Sequence, residues 1–183
     1  MVKKIVIIPI LFLIFSGCNQ NLSNVSLRNL KISENRRFFM NEDGSPFFWL
    51  GDTGWLLFTK LDREKAEEYL ENRRQNGFNV IQVMVIHSIH HAVNVYGDSA
   101  LINRNIAMPF ITEGDSFTDS VQYDFWDHVD YIISKAAEKG MYMALVPVWG
   151  SNAKGGNISI EQATAYAEWL AARYHDKPNI VWL

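Results

Sequence analysis

Cysteine is nearly absent: one residue, Cys18, stands in 183. With no second cysteine, an intrachain disulfide framework and any Cys-rich metal site are excluded. There is no basic run either. Lys and Arg total 17 against 20 Asp and Glu, a net charge of −3, and setting aside Lys3 and Lys4 makes the balance more acidic. Nucleic acid is therefore not an expected partner. Neither G-x-G-x-x-G nor the phosphate-loop pattern follows the first buried strand, which removes the best support for a nucleotide site. The apolar run Ile5 to Phe15, 11 residues long, falls short of the about 20 that span a bilayer as a helix.

Residues 1–18 read as a targeting segment and not as part of the fold. Lys3 and Lys4 form a basic n-region, the apolar run follows, and Phe15-Ser16-Gly17-Cys18 places small residues before the cysteine. This resembles a bacterial lipoprotein signal, with Cys18 as the acylated first residue after cleavage; Phe15 departs from the usual Leu. The alternative is an ordinary secretory signal with an incidental Cys. Both export the protein, and the first anchors it to a membrane at the outer membrane or cell surface. Residues 19–35, rich in Asn and Ser, read as a flexible tether, leaving 36–183 as the domain.

Arg36 to Met40 and Ser45 to Leu50 flank Asn41-Glu42-Asp43-Gly44, whose Asp-Gly step predicts a hairpin. Gly51-Asp52-Thr53-Gly54-Trp55 reads as a glycine-bracketed turn. Asp62 to Gln75 reads as a helix closed by Asn76-Gly77, with Asp62 as N-cap. Phe78 to Ile86 is a nearly continuous apolar strand, the pattern of a strand covered on both faces. His87 to Ser120 has no clear periodicity, and at that length a loop is expected to be functional. Tyr123 to Lys139 is the next helix, with Phe125, Val129, Ile132, Ile133 and Ala136 on one face. Met141 to Trp149 is a strand and Gly150 to Asn157 a polar loop. Ser159-Ile160-Glu161-Gln162 is a capping box opening a helix with Ala163, Tyr166, Ala167, Leu170, Ala171 and Tyr174 inward. Asn179 to Leu183 begins a fourth strand with no connection after it, so the βα series is expected to be unfinished.

The alternation of β and α with short αβ turns implies a parallel sheet. A doubly wound open sheet and part of a (β/α)₈ barrel both satisfy it; long aromatic loops after the strands favour the barrel. Residues 36–183 are about half of the roughly 250 that a barrel needs. The expected fold class is α/β: a partial TIM (β/α)₈ barrel of about four strands and three helices, preceded by a β-hairpin.

Candidate site residues cluster after strands. Asp52, at the end of the first strand, either points into a barrel mouth, where it can bind a sugar hydroxyl, or caps its own turn. Gln82, the lone polar residue of its strand, either lines the upper interior or joins a core network. His87, His90 and His91 lack the carboxylate that would complete a ligand set, so no metal is expected, and His87 alone is a candidate substrate contact. Asn94-Val95-Tyr96-Gly97-Asp98 and Trp149-Gly150-Ser151-Asn152 mix rings with amides and carboxylates, as sugar subsites do, although ordinary loop packing uses the same residues. Trp126, Trp169 and Tyr174 read as core. Glycoside hydrolysis needs two carboxylates, and no persuasive pair is present; Glu113, Asp115 and Asp119 read as solvated charge.

Several of these segments, in order, resemble one family. Arg37-Phe38-Phe39 with the Asp43-Gly44 turn, Phe48-Trp49-Leu50-Gly51-Asp52-Thr53, Gly77-Phe78-Asn79-Val80-Ile81-Gln82, Asn94-Val95-Tyr96-Gly97 and Pro178-Asn179-Ile180-Val181-Trp182 are similar to the N-terminal half of apiosidase-like glycoside hydrolases. The resemblance implies a (β/α)₈ catalytic domain, no cofactor, and release of terminal sugars such as apiose from pectic side chains by two carboxylates. It also implies that the acid/base follows the strand equivalent to Asn179–Leu183, in a Gly-Gly-Asp-like stretch, and that the nucleophile comes later still. Asp52, His87 and Trp149 then remain as cleft contacts, with no catalytic residue expected in this chain. The expected partner is a plant-type oligosaccharide or polysaccharide. A non-catalytic glycan-binding surface lipoprotein is the rival reading, and a metal-dependent hydrolase using the histidines ranks last. An open half barrel exposes strand edges and core, which would favour self-association.

Overall fold

The computed structural model describes residues 27–183. The expected signal segment, Cys18 and most of the tether lie outside the described residues. The tether expectation does not hold at its end, because Leu30–Ile32 is strand β1. It pairs antiparallel with β2 (Phe39–Asn41) in the register Leu30↔Asn41 to Ile32↔Phe39. The expected turn at 41–45 is present, with Asn41 N donating to Ser45 O (2.9 Å) and Gly44 N to Asn41 O (2.9 Å). The arms expected to pair across this turn share the bridge Met40↔Pro46 and the bond from Phe47 N to Phe39 O (3.1 Å), while β2 takes β1 as its ladder partner.

Strands β3 (Gly51–Thr53), β4 (Val80–Ile86), β5 (Tyr142–Val148) and β6 (Ile180–Trp182) form one parallel sheet in that order. Three long helices connect them: α2 (Arg63–Gln75), α3 (Phe125–Glu138) and α5 (Ile160–Tyr174). Two short ones, α1 (Leu57–Lys60) and α4 (Gly150–Lys154), follow the ends of β3 and β5; α4 lies where a loop was expected.

Local chemistry sets the helix limits. The Asp62 side chain accepts from Lys65 N at 2.8 Å to open α2. Reciprocal capping boxes, Asp124 with Asp127 and Ser159 with Gln162, open α3 and α5. Gly77 (φ 82°) and Gly140 (φ 69°) turn the chain out of α2 and α3 in the left-handed conformation glycine tolerates.

The sheet has two unlike faces. Ile81, Val83, Val85, Met143 and Leu145 pack with Leu70, Ile132, Ile133, Tyr166 and Leu170 in one large cluster, so the helices share one face. The alternate residues Val80, Tyr142 and Ala144 form a second cluster with Leu27, Leu30, Phe47, Trp49 and Val181. Helices on one face and an unreversed strand order make a barrel segment. A doubly wound sheet would carry helices on both faces and reverse its strand order. The hairpin and its neighbours close the floor, at the N-terminal ends of the strands.

One expected face differs. On α5 the buried stripe is Tyr166, Leu170 and Tyr174, while Ala163, Ala167 and Ala171 are exposed. The Tyr166, Leu170 and Tyr174 stripe faces the core, with Trp169 and Arg173 reaching Trp126 and Asp130 of α3 at its side. Ala167 and Ala171 instead border an apolar hollow with Pro147, Leu170 and Trp182.

Candidate functional site

The C-terminal ends of β3, β4 and β5 lie side by side, and the backbone ladder continues past them. Gly54 N donates to Gln82 O (2.9 Å), Met84 N to Trp55 O (3.3 Å) and Trp149 N to Ile86 O (3.0 Å). The points at which the three corners leave the sheet are therefore in register with one another. Trp55 from the first and Trp149 from the third meet across the second, their ring centroids 6.0 Å apart and tilted by 53°. Trp149 is 43% exposed, and His87, at the corner between them, is exposed as well. The exposed Trp149 indole, backed by half-buried Trp55, and the exposed imidazole on the neighbouring corner offer a stacking surface and a hydrogen-bonding group, the two things a sugar ring uses.

The buried amide of Asn152 ties two of these corners together. Its Nδ2 donates to His87 O (3.0 Å) and Trp149 O (2.8 Å), and its Oδ1 accepts from Ile89 N (3.2 Å). Asn152 was expected to offer its amide to a sugar; the structure shows that amide already occupied.

Asp52 requires a larger correction. It is in register with Ile81, whose side chain packs on the helix side, so Asp52 faces α2 and not the interior. Its carboxylate accepts from Tyr69 Oη (2.9 Å), from Thr53 N (2.8 Å) and from Arg73 Nε. Burial alone would raise its pKa, but the hydrogen bonds from Arg73, Thr53 and Tyr69 outweigh it and hold the carboxyl below its ordinary value. Burial, with the hydrogen bond to this carboxylate, pushes the Tyr69 hydroxyl up to about 12. Asp52 joins β3 to α2. Strand parity was the signal that could have placed it: in a three-residue strand flanked by glycines it was easily overlooked.

Gln82 is half-buried in register with Thr53 and Ala144, on the face away from the helices and below the corners. The 94–98 segment is self-contained. Asn94 Oδ1 accepts from Tyr96 N and Asp98 N, both at 3.0 Å, and its Nδ2 donates to Asp98 Oδ2 (2.9 Å). Tyr96 turns to the helix side, where its hydroxyl accepts from Arg63 N (2.8 Å). These bonds account for the placement of Asn94 and Tyr96. His90 and His91 are exposed, and among the described residues no group of three His, Cys, Asp or Glu comes together as a metal site.

The long loop after β4 is pinned to the scaffold. Trp126 Nε1 donates to Ala100 O (3.0 Å), Thr112 N to Asp124 Oδ2 (2.8 Å), and Gln162 Nε2 to Asn105 Oδ1 (2.9 Å). The Arg63 guanidinium lies 4.3 Å over Phe117 and 3.8 Å over Tyr131. His128 is fully buried, its Nε2 2.9 Å from Leu61 O and its Nδ1 3.1 Å from Tyr123 Oη. Burial pushes its pKa down. A neutral ring that donates to the carbonyl and accepts from the phenol fits both contacts.

Sequence reasoning noted Trp55 only as part of a turn. Its position one residue past the glycine that leaves β3, matching Trp149 directly after β5, was the signal for it.

Residues 33–183 match the family model of the apiosidase-like catalytic domain. A solved structure named a glycoside hydrolase is 42% identical with a TM-score of 0.71, over 85% of this chain and 33% of that one. A second, described as a glycoside hydrolase family 5 protein from Bacteroides vulgatus, is 38% identical with a TM-score of 0.70, over 84% of this chain and 32% of that one. An endo-1,4-beta-mannanase from Rhizomucor miehei, 14% identical with a TM-score of 0.51 over 86% of this chain and 47% of that one, shares the fold alone. The chain thus spans about a third of the length of the two more similar structures. A comparison with curated proteins gave no match. With a family model covering all but the first 32 residues, and a sheet, helices and hairpin arranged as a barrel segment, the chain belongs to the apiosidase-like glycoside hydrolase family.

Proposed function

We propose that the open end of this sheet binds a terminal sugar of a pectic plant cell-wall glycan, and that the binding serves O-glycosyl hydrolysis in a complete barrel. The observation that carries the reading is the pairing of half-buried Trp55 with exposed Trp149, with His87 on the corner between them, at the end of the strands where barrel enzymes bind substrate. The corners themselves, Gly54 to Leu56, His87 to Val93 and Trp149 to Lys154, contain no Asp or Glu. Both hydrolytic geometries need two carboxylates across the scissile bond. These corners alone are therefore a binding surface without the acids of hydrolysis.

The test is a titration of the purified chain with apiose-terminated pectic oligosaccharides, alongside an assay for released sugar. Binding without release is expected, and Trp149→Ala should weaken affinity about tenfold, the loss of one stacking ring. Sugar release above background, or an unchanged affinity in the variant, would refute the reading. From the N-terminal sequence we also propose export as a lipoprotein anchored through Cys18.

A further inference from the structure

We infer that Asn152 is a positioning residue that sets the spacing of the sugar-binding corners, so that His87 and Trp149 act as one site and not two. This rests on the binding proposed above for its ligand, though not for its geometry.

The argument begins with what the amide does. His87 begins the loop after β4 and Trp149 the loop after β5; the ladder behind them ends at Trp149 N to Ile86 O. Past that bond the two chains diverge, one into the long loop and the other into α4. Asn152 lies 6% exposed between them. Both hydrogens of its Nδ2 are used, one on each corner's carbonyl, and its Oδ1 takes a third bond from Ile89 N. Three bonds from one planar group allow one relative placement of the two backbones. The carbonyls held are those of the two residues whose side chains face outward at the site.

The short helix explains why the residue can do this. Asn152 N donates to Trp149 O (3.0 Å) and Asn157 N to Asn152 O (3.2 Å). Its own backbone is thus fixed within α4 before the side chain reaches across. Trp149 O receives both the backbone and the side-chain donor of Asn152, which locks the residue that carries the exposed indole. The other indole, Trp55, packs on Trp149, so a shift in the third corner passes to the first. The site is spread over three corners with one amide controlling two of them.

A ring stacked on Trp149 while bonded to His87 depends on their separation. Asp at position 152 keeps the shape and the acceptor for Ile89 N. It replaces the shared donor with an oxygen facing two carbonyls, and so pushes the corners apart. Ser at 152 is too short to span them and adds no charge.

The experiment uses the 183-residue chain with 5-fluorotryptophan at its six Trp positions, each ¹⁹F resonance assigned by a single Trp→Phe change. In Asn152→Asp and Asn152→Ser the Trp149 and Trp55 resonances should shift or broaden. Those of Trp126 and Trp169, on the helix side, should stay in place. Ser151→Ala, an exposed neighbour, is the control and should move none. Affinity for apiose-terminated pectic oligosaccharide should fall about tenfold or more in both variants, the loss of one or two net hydrogen bonds' worth of placement. Unmoved Trp149 and Trp55 signals overturn the inference, as does a shift of all six, which would mark general unfolding. If the unsubstituted chain binds no oligosaccharide, the proposed function fails, and the fluorine signals alone decide the role of Asn152.

Discussion

Replacing Asp52 by Ala separates a structural carboxylate from a ligand-binding one. The substitution removes the acceptor of Tyr69 Oη, Thr53 N and Arg73 Nε and leaves Arg73 and Tyr69 half-buried without it. A hydrogen bond to a charged group contributes about 1.5–3 kcal/mol. The Asp52 and Arg73 side chains keep 28% and 32% of their exposure, so solvent screening reduces that figure. The expected loss for the whole network is about 2–3 kcal/mol, or roughly 4–12 °C in Tm for a domain of this size. Affinity for the oligosaccharide should stay within about twofold, because the carboxylate faces Tyr69 and Arg73 on α2 and not the corners. Acid unfolding gives a second signature. Unfolded Asp titrates near about 3.9, and Asp52 is held lower in the fold. Its contribution is present above about pH 4 and is lost as pH falls through the lower folded value. Asp52→Ala should lack that part of the acid transition. Calorimetry and titration calorimetry on one preparation suffice. A variant with unchanged Tm and weakened binding would put the carboxylate in the cleft and refute the reasoning.

Two further outcomes can be checked in the same way. Burial, against the opposing bond from Asp124 N, raises the Asp127 pKa to about 6, above the unfolded value near about 3.9. The folded state thus holds the proton longer, and stability falls as pH rises through 6. Asp127→Asn should be more stable than the parent at pH 7.5 by about 1 kcal/mol, discounted for partial exposure, and no more stable at pH 4. An equal gain at both pH values would rule out Asp127 titration as its source. For Cys18→Ser, labelled palmitate should no longer enter the protein in bacterial cells. Label retained in the variant would remove the lipoprotein proposal.

The alternation of elements was legible because it is written in local chemistry. Capping residues at 62 and 159, glycines at 77 and 140, and apolar runs at β4 and β5 each determine their own stretch of chain. What escaped were properties of pairs distant in sequence. Asp52 looked like a cleft residue because its partners, Tyr69 and Arg73, sit on a helix whose rotation relative to β3 no local pattern gives. Asn152 looked like a sugar ligand because its bond to His87 O spans 65 positions. The α5 alanines looked inward because small apolar residues on a helix suit burial and a modest surface equally. Leu30–Ile32 looked like tether because a three-residue strand has almost no signal of its own, and only Leu30 finds the floor cluster. At the site, Trp149 and His87 were found at strand ends, whereas the pairing of Trp149 with Trp55 became visible only when β3 was placed two strands from β5.

The floor of the sheet has a consequence for how such a chain can change. Val80 and Tyr142, with Leu30, Phe47 and Trp49 around them, fill the end opposite the three corners. This smaller cluster and the proposed ligand-binding corners thus lie at separate ends of the same strands. Substitutions at one end leave the free energy of the other nearly untouched. A lineage built on this plan can exchange the loops after β4 and β5, and with them the proposed binding surface, without rebuilding its foundation.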